Sequence, residues 1–119
     1  MAGKSSGGTY RIEFFSQEVQ EQVRALPEKI RMRMYSLFER MEQFGSNLGP
    51  PHTEQVPGYP RLFEVRAKAK EGIGRAYYCT VVNRKIWVLH VIVKKTQKAP
   101  QQDLELAYRR LKEIRNEQN

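Results

Sequence analysis

The residues of this sequence best suited to chemistry are basic, and they are concentrated in one stretch. From Arg61 to Lys98 the chain has ten lysines and arginines but only two acids, Glu64 and Glu71. The stretch therefore carries 10 − 2 = +8, which equals the formal net charge of the whole 119-residue chain. Such a surplus indicates a polyanionic partner. Charge alone does not choose among nucleic acid, an acidic membrane surface and an acidic protein.

Within this stretch the spacing predicts a shared basic face. Every second position of two predicted strands is involved: Arg66 and Lys68 on one strand, and Arg75 and Tyr77 on the next. We therefore expect these side chains on one face of two neighbouring strands. Cleavage of RNA without a metal needs a base for the 2′-OH, cations for the phosphorane-like transition state and an acid for the leaving oxygen. A dense Lys/Arg cluster offers these roles, and the arginine fork suits phosphate geometry. The alternative for such a cluster is a solvated surface.

The other chemically reactive residues are few. Cys79 is the only cysteine, so no internal disulfide forms and a reducing compartment is expected. One cysteine and two distant histidines do not have the spacing of a metal site, and we expect neither metal nor cofactor. Cys79 is interpreted as a small buried residue. His90 is expected on one strand face with Ile86, Val88 and Ile92, as a core histidine rather than a catalytic one.

The elements that position these residues follow the order β-α-α-β-β-β-α. The predicted strands are 9–15, 62–70, 73–82 and 85–93, and the last three form an antiparallel meander with 85–93 at its centre. The predicted helices are 16–26, 27–44 and one that opens at Pro100. Helix 27–44 has an apolar stripe interpreted as core, with the residues Ile30, Met34, Leu37, Phe38, Met41 and Phe44. This is an α+β fold in which two N-terminal helices and one C-terminal helix pack on the sheet.

We predict one small domain, residues 9–117, after a flexible leader of residues 1–8. No apolar run reaches the roughly 20 residues of a membrane span, and the start has no signal-peptide pattern. Residues 45–60 hold four of the six prolines and three of the eight glycines, which predicts a long loop. His52, in this loop, is a candidate RNA contact.

Four successive segments carry a resemblance to a known family. They contain, in chain order, Leu62, Glu64 and Arg66; then Gly72, Arg75 and Tyr78; then Leu89, His90, Lys94–Lys98 and Pro100; then Glu105, Ala107, Arg110 and Leu111. With this spacing the chain resembles the RelE/ParE superfamily of bacterial toxins, and in particular its HigB-like, phage-associated branch. The match covers residues 61–113, about half of the chain.

The resemblance implies the toxin of a type II toxin–antitoxin system. Such a toxin is a cytoplasmic, ribosome-dependent endoribonuclease that cuts messenger RNA through attack of the 2′-OH, without a metal, and so inhibits translation. It also implies one partner besides the ribosome and its mRNA substrate, a cognate antitoxin, which is usually a helix-turn-helix protein in this branch. No membrane partner is implied.

The resemblance also assigns site residues. Arg66 and Arg75 align with the sheet residues that bind phosphate, and Lys68 is a candidate base or second clamp. The complete catalytic set is Arg66, Lys68, Arg75, Lys94 and Lys95, and the RNA contacts are Arg61, Tyr77, Thr96, Lys98 and His52. Several RelE-type toxins have a tyrosine or a His–Asp–Tyr cluster near the C-terminus. This sequence has Lys94-Lys95-Thr96-Gln97 there and no tyrosine, which leaves its general acid and base unassigned.

Two other functions remain open at this point. One is a toxin of the same fold that is not an enzyme and poisons another target such as gyrase. The other is a plain RNA-binding module, which would bind RNA in a salt-dependent manner without cutting it.

Overall fold

The computed structural model describes residues 9–81, 84–94 and 100–118. The leader prediction for residues 1–8 and the turn at Asn83 lie outside these ranges. The strands are β1 (Arg11–Phe14), β2 (Thr53–Gln55), β3 (Phe63–Ala69), β4 (Gly72–Val81) and β5 (Lys85–Lys94). The helices are α1 (Gln17–Arg24), α2 (Glu28–Phe44) and α3 (Gln101–Gln118). All seven predicted elements are present, which confirms the predicted α+β class.

The sheet is mixed and has five strands in the order β1-β5-β4-β3-β2. The predicted meander β3-β4-β5 is antiparallel, while β1 pairs with β5 in parallel. Two expectations were wrong. The central strand of the meander is β4, because it pairs with β3 on one side and with β5 on the other. The long loop also contains a short strand, β2, which pairs antiparallel with the start of β3 through Thr53 and Val65.

Each face of the sheet has its own core. Helices α1 and α2 cover one face, where Val65 and Ala67 of β3 lie with Ala76 and Tyr78 of β4. Helix α3 covers part of the other face. There Ala107, Leu111 and Ile114 pack with Leu62, Tyr77, Cys79 and Leu89. The predicted alternation along β3 and β4 is therefore confirmed.

The N-terminal helices begin where their capping residues indicate. The Ser16 hydroxyl accepts a hydrogen bond from the Val19 amide at 3.3 Å, and Pro27 precedes the first turn of α2. Met34 and Met41 are fully buried, which confirms the core interpretation of the apolar stripe. Phe44 was wrongly included in that stripe. It is the last residue of α2 and is 73% exposed, because the chain leaves the helix at Gly45.

A β-bulge in β5 changes which residues accompany His90. Tyr77 pairs with His90, but the next residue, Tyr78, pairs with Val88, so Leu89 is the extra residue. The expectation that His90 shares a face with Ile86 and Val88 was therefore wrong. Those two lie in the core under α1 and α2, whereas His90 stacks on Tyr77 on the other face.

Gly74 in β4 allows α2 to approach the sheet closely. A Cβ atom at this position would lie 2.5 Å from Cγ2 of the fully buried Ile30. Helix α2 can therefore sit at its observed distance from the sheet only with glycine here. Among the described helices, none has the length and apolar character needed to cross a membrane.

Candidate nucleic-acid interface

Three cross-strand rows run over β3, β4 and β5 on the sheet face that also carries α3. Residues in one row are directly opposite each other on neighbouring strands, so their side chains are close together. The rows are Glu64–Tyr77–His90, Arg66–Arg75–Ile92 and Lys68–Ile73–Lys94. We call the surface made by these nine residues the basic face. It brings together four of the five predicted catalytic residues, because β3 and β5 flank β4.

The middle row is held by a chain of ion pairs. Nη1 of Arg75 donates to both carboxylate oxygens of Glu64, at 2.9 and 3.0 Å. The same carboxylate lies 3.3 Å from Nη1 of Arg66, and Nη2 of Arg66 donates to Glu54 at 2.7 Å. The side chains of Arg75, Glu64 and Arg66 are 3%, 12% and 20% exposed. Arg75 thus lies in the floor of the basic face, and Arg66 lies nearer its surface.

A second buried polar group lies beside this network. The Tyr77 and His90 rings are stacked with centroids 6.5 Å apart, and Nε2 of His90 lies 2.7 Å from Oδ1 of Asp103 in the first turn of α3. Within the described residues, neither the Tyr77 hydroxyl nor Nδ1 of His90 has a hydrogen-bond partner. The Asp103 contact joins the start of α3 to the middle of β5.

Burial perturbs the acid–base behaviour of this region. It raises the pKa of the Tyr77 phenol well above its ordinary value, with a further upward contribution from Glu64 and an opposing one from Arg75. Burial also raises the pKa of the neighbouring Cys79 thiol to about 12. Tyr77 therefore stays protonated at neutral pH and can donate a hydrogen bond, whereas Cys79 is not a thiolate nucleophile.

The accessible part of the basic face is cationic. Lys68 is exposed, while Arg66 and Lys94 are partly exposed. Lys68 and Lys94 lie in one row on either side of Ile73, and Arg66 lies two residues from Lys68 along β3. An anion placed over this end of the sheet would meet three positive side chains, and Arg75 would act on it from below.

The remaining predicted site residues do not belong to the accessible cationic cluster of Arg66, Lys68 and Lys94. Arg61 precedes β3 at the end opposite Lys68, with a positive φ of 69°, so it does not join the cluster. Tyr77 is fully buried and does not present a surface for RNA in this structure. His52 lies on the other side of β3, in a cleft described below. Lys95, Thr96 and Lys98 lie outside the described residues.

Sequence reasoning did not assign a role to Glu64 or Asp103. Glu64 is one of only two acids in the basic stretch, and its position two residues before Arg66 on the same predicted strand face was the available signal. No pattern in the sequence joins Asp103 to His90 thirteen positions earlier. In the described part of the chain, no group of three or more His, Cys, Asp or Glu side chains could hold a metal ion.

The fold places the chain in a known structural class. It is similar to a chain of the archaeal RelE–RelB complex from Pyrococcus horikoshii OT3, with a TM-score of 0.55 and 19% sequence identity over 76% of this chain and 99% of that chain. The fold is thus of the RelE type. Within it, residues 21–112 match the model of the phage-derived Gp49-like proteins (DUF891), and the chain belongs to this family. A search of curated proteins gave no match.

Proposed function

We propose that the protein is the toxin of a toxin–antitoxin module and acts as a ribosome-dependent endoribonuclease on messenger RNA. The observation that carries the proposal is the cationic end of the basic face, where Arg66 and Lys68 of β3 and Lys94 of β5 lie in neighbouring rows on the same sheet face as the buried Arg75. The RelE-type fold and the Gp49-like family support the same class. Convergent cations on a rigid sheet suit a phosphate whose negative charge grows in the transition state.

The proposed reaction is a transesterification within the RNA strand. The 2′-OH loses its proton and attacks the neighbouring phosphorus, the new P–O2′ bond forms, the P–O5′ bond breaks, and the leaving 5′ oxygen takes up a proton. Arg66 and Lys94 bind the non-bridging oxygens. Lys68 supplies either the base for the 2′-OH or a second phosphate clamp. These side chains provide the positive charge, so no metal is invoked.

The sequence suggested that Arg75 binds the phosphate directly, but in this proposal it has a different role. Its side chain is 3% exposed and bonded to Glu64, which in turn lies 3.3 Å from Arg66. Arg75 is therefore a positioning residue. It fixes Glu64, and Glu64 fixes the direction of the Arg66 guanidinium toward the substrate.

The finer assignments of the proposal follow the sequence resemblance. We assign the chain to the HigB-like branch, in the cytoplasm, with a helix-turn-helix antitoxin as the cognate partner that covers the basic face. Inducing the protein alone in a bacterium is expected to arrest growth and shorten transcripts, and the antitoxin from the adjacent reading frame is expected to restore growth.

Single-turnover cleavage on programmed ribosomes tests the chemistry. Lys68→Ala is expected to slow cleavage by about 10²–10³-fold, the usual effect of removing one stabilising donor. Arg109→Ala, which removes an exposed arginine on α3, is the matched control and should keep the full rate. Lys68→Arg separates the two roles of Lys68, because arginine keeps the charge but does not act as a base. If Lys68 is a phosphate clamp, Lys68→Arg should keep its cleavage rate. If Lys68 is the base, Lys68→Arg should lose it.

Two outcomes would refute the nuclease. Growth arrest with intact transcripts and altered DNA topology would indicate a gyrase poison. Salt-sensitive binding of RNA and ribosomes with no cut strand would indicate a binding module.

A further inference from the structure

A cleft on the other side of β3 is not part of the basic face. It has a volume of about 320 Å³ and lies between α2, β3 and the loop before β2. It exists because β2 pairs with β3 only as far as Val65, so the later part of β3 has no neighbouring strand on this edge. Its volume is at the lower end of the range for ligand-binding pockets.

The lining of the cleft is positively charged on two opposite sides. Arg33 and Arg40 are exposed residues of α2, separated by two helical turns and therefore on the same helix face. Arg66 and Lys68 of β3 line the opposite side, and His52 lies in the loop. Among the residues that the structure describes, no carboxylate lines the cleft, although Arg66 is partly neutralised by Glu54 and Glu64.

Apolar groups complete the walls. Leu37 from α2, Ala67 from β3 and Pro51 from the loop lie between the basic side chains. A site that combines positive charges with an apolar wall and an imidazole ring fits a ligand that has both an anionic group and an apolar surface. A nucleotide of a single RNA strand has both, because its phosphate is anionic and its base has an apolar face that stacks on flat side chains.

We propose that this cleft binds the single RNA strand next to the segment that lies on the basic face, with Arg33 and Arg40 on its phosphates and a base against His52 and Pro51. This inference rests on the proposed function, since it takes RNA as the substrate. Arg66 and Lys68 belong to both surfaces, so a strand can pass from the basic face over the open edge of β3 into the cleft. This continuity favours RNA over an acidic protein segment.

The test measures binding of a fluorescent single-stranded oligoribonucleotide at several salt concentrations. Each phosphate contact on a single strand contributes about 0.7 to the slope of log K against log salt, so Arg33→Ala/Arg40→Ala should lower the slope by about 1.4 and weaken binding at least about tenfold. Both arginines are exposed, so the fold is retained. Arg11→Ala/Arg109→Ala removes the same charge from exposed positions on β1 and α3, and it should keep the slope.

A second measurement locates the strand directly. Ser36→Cys, inside the cleft, and Asn116→Cys, on the exposed side of α3, each carry a thiol-linked photo-crosslinker, and Cys79 does not compete because it is fully buried. The oligoribonucleotide should crosslink at position 36 and not at position 116.

The inference is overturned if both double variants lose affinity equally, if wild-type protein does not bind the oligoribonucleotide, or if crosslinking at the two positions is equal. It is also overturned if a polyglutamate peptide depends on Arg33 and Arg40 while the RNA does not. The two proposals fail separately. RNA held in the cleft but never cut would refute only the nuclease, and normal cutting with unchanged affinity and slope in Arg33→Ala/Arg40→Ala would refute only the cleft.

Discussion

Replacing Glu64 with glutamine is expected to destabilise the fold more than replacing its buried partner. Both carboxylate oxygens of Glu64 accept from Arg75, at 2.9 and 3.0 Å, and the two side chains are 12% and 3% exposed. Removing one member of a buried ion pair typically costs about 3–5 kcal/mol. Glutamine keeps one acceptor oxygen, so we expect about 3 kcal/mol for Glu64→Gln.

The network makes the two partners unequal. In Arg75→Met the Glu64 carboxylate still faces Arg66 at 3.3 Å, so we expect a smaller loss, about 1–2 kcal/mol. In Glu64→Gln, Arg66 keeps Glu54 at 2.7 Å, but the buried Arg75 guanidinium loses the carboxylate it donates to. Because the partners interact directly, the double variant should be more stable than the sum of the two losses predicts, by at least about 1 kcal/mol.

Urea and thermal unfolding measure these differences. With an unfolding entropy of about 2.1 cal/mol/K per residue, a loss of 3 kcal/mol in a chain of this length lowers Tm by about 12 °C. Three results would refute the reasoning. They are strictly additive losses in the double variant, a larger loss for Arg75→Met than for Glu64→Gln, and a Tm for Glu64→Gln within about 2 °C of the wild type.

Three further predictions concern buried groups. Burial raises the pKa of Tyr77 above its ordinary value of 10.0, so the phenol ionises at lower pH in the unfolded chain than in the folded one. The contribution of Tyr77 to stability is therefore complete below about pH 9. It falls as pH rises, by up to about 1.4 kcal/mol per pH unit. Tyr77→Phe should make urea-unfolding free energies fall less steeply between pH 9 and 11, and an unchanged slope would contradict this. The Cys79 thiol should react with a thiol reagent at pH 8 only when the protein unfolds, and rapid native labelling would contradict its burial. Gly74→Ala should cost about 1–3 kcal/mol in urea unfolding, because the new methyl group would meet Ile30 at 2.5 Å; wild-type stability would show that α2 moves freely.

The parts of the structure that sequence predicts are those set by local periodicity. Alternation along β3 and β4 placed Arg66, Lys68 and Arg75 correctly on one face, since one face was apolar enough to fix the register. The bulge at Leu89 could not be found in this way. A single extra residue within an apolar strand leaves no compositional signal, and it moved His90 from the expected face to the side of Tyr77 and Asp103.

The other features that the sequence did not predict depend on contacts between residues far apart in the chain. Glu64 was given no partner in the sequence analysis, because its bond to Arg75 depends on the strand register. Arg33 and Arg40 are visible as two basic residues on one helix face, yet nothing in sequence places β3 and His52 opposite them. The short β2 was hidden among prolines and glycines. It begins only at Thr53, opposite Val65, and this leaves the later edge of β3 open for the cleft.

The parallel pairing of β1 with β5 delays closure of the sheet while the chain is being made. Arg11 pairs with Lys85, 85 − 11 = 74 positions later, so β1 has no strand to join until most of the protein has been synthesised. Contacts between such distant residues form slowly, because the chain loses the entropy of the intervening loop before the strand pairing contributes any stability. The growing chain therefore keeps an unpaired strand and an uncovered apolar helix face through most of translation. A chain released early, before β5, has no complete sheet on which the basic rows could assemble.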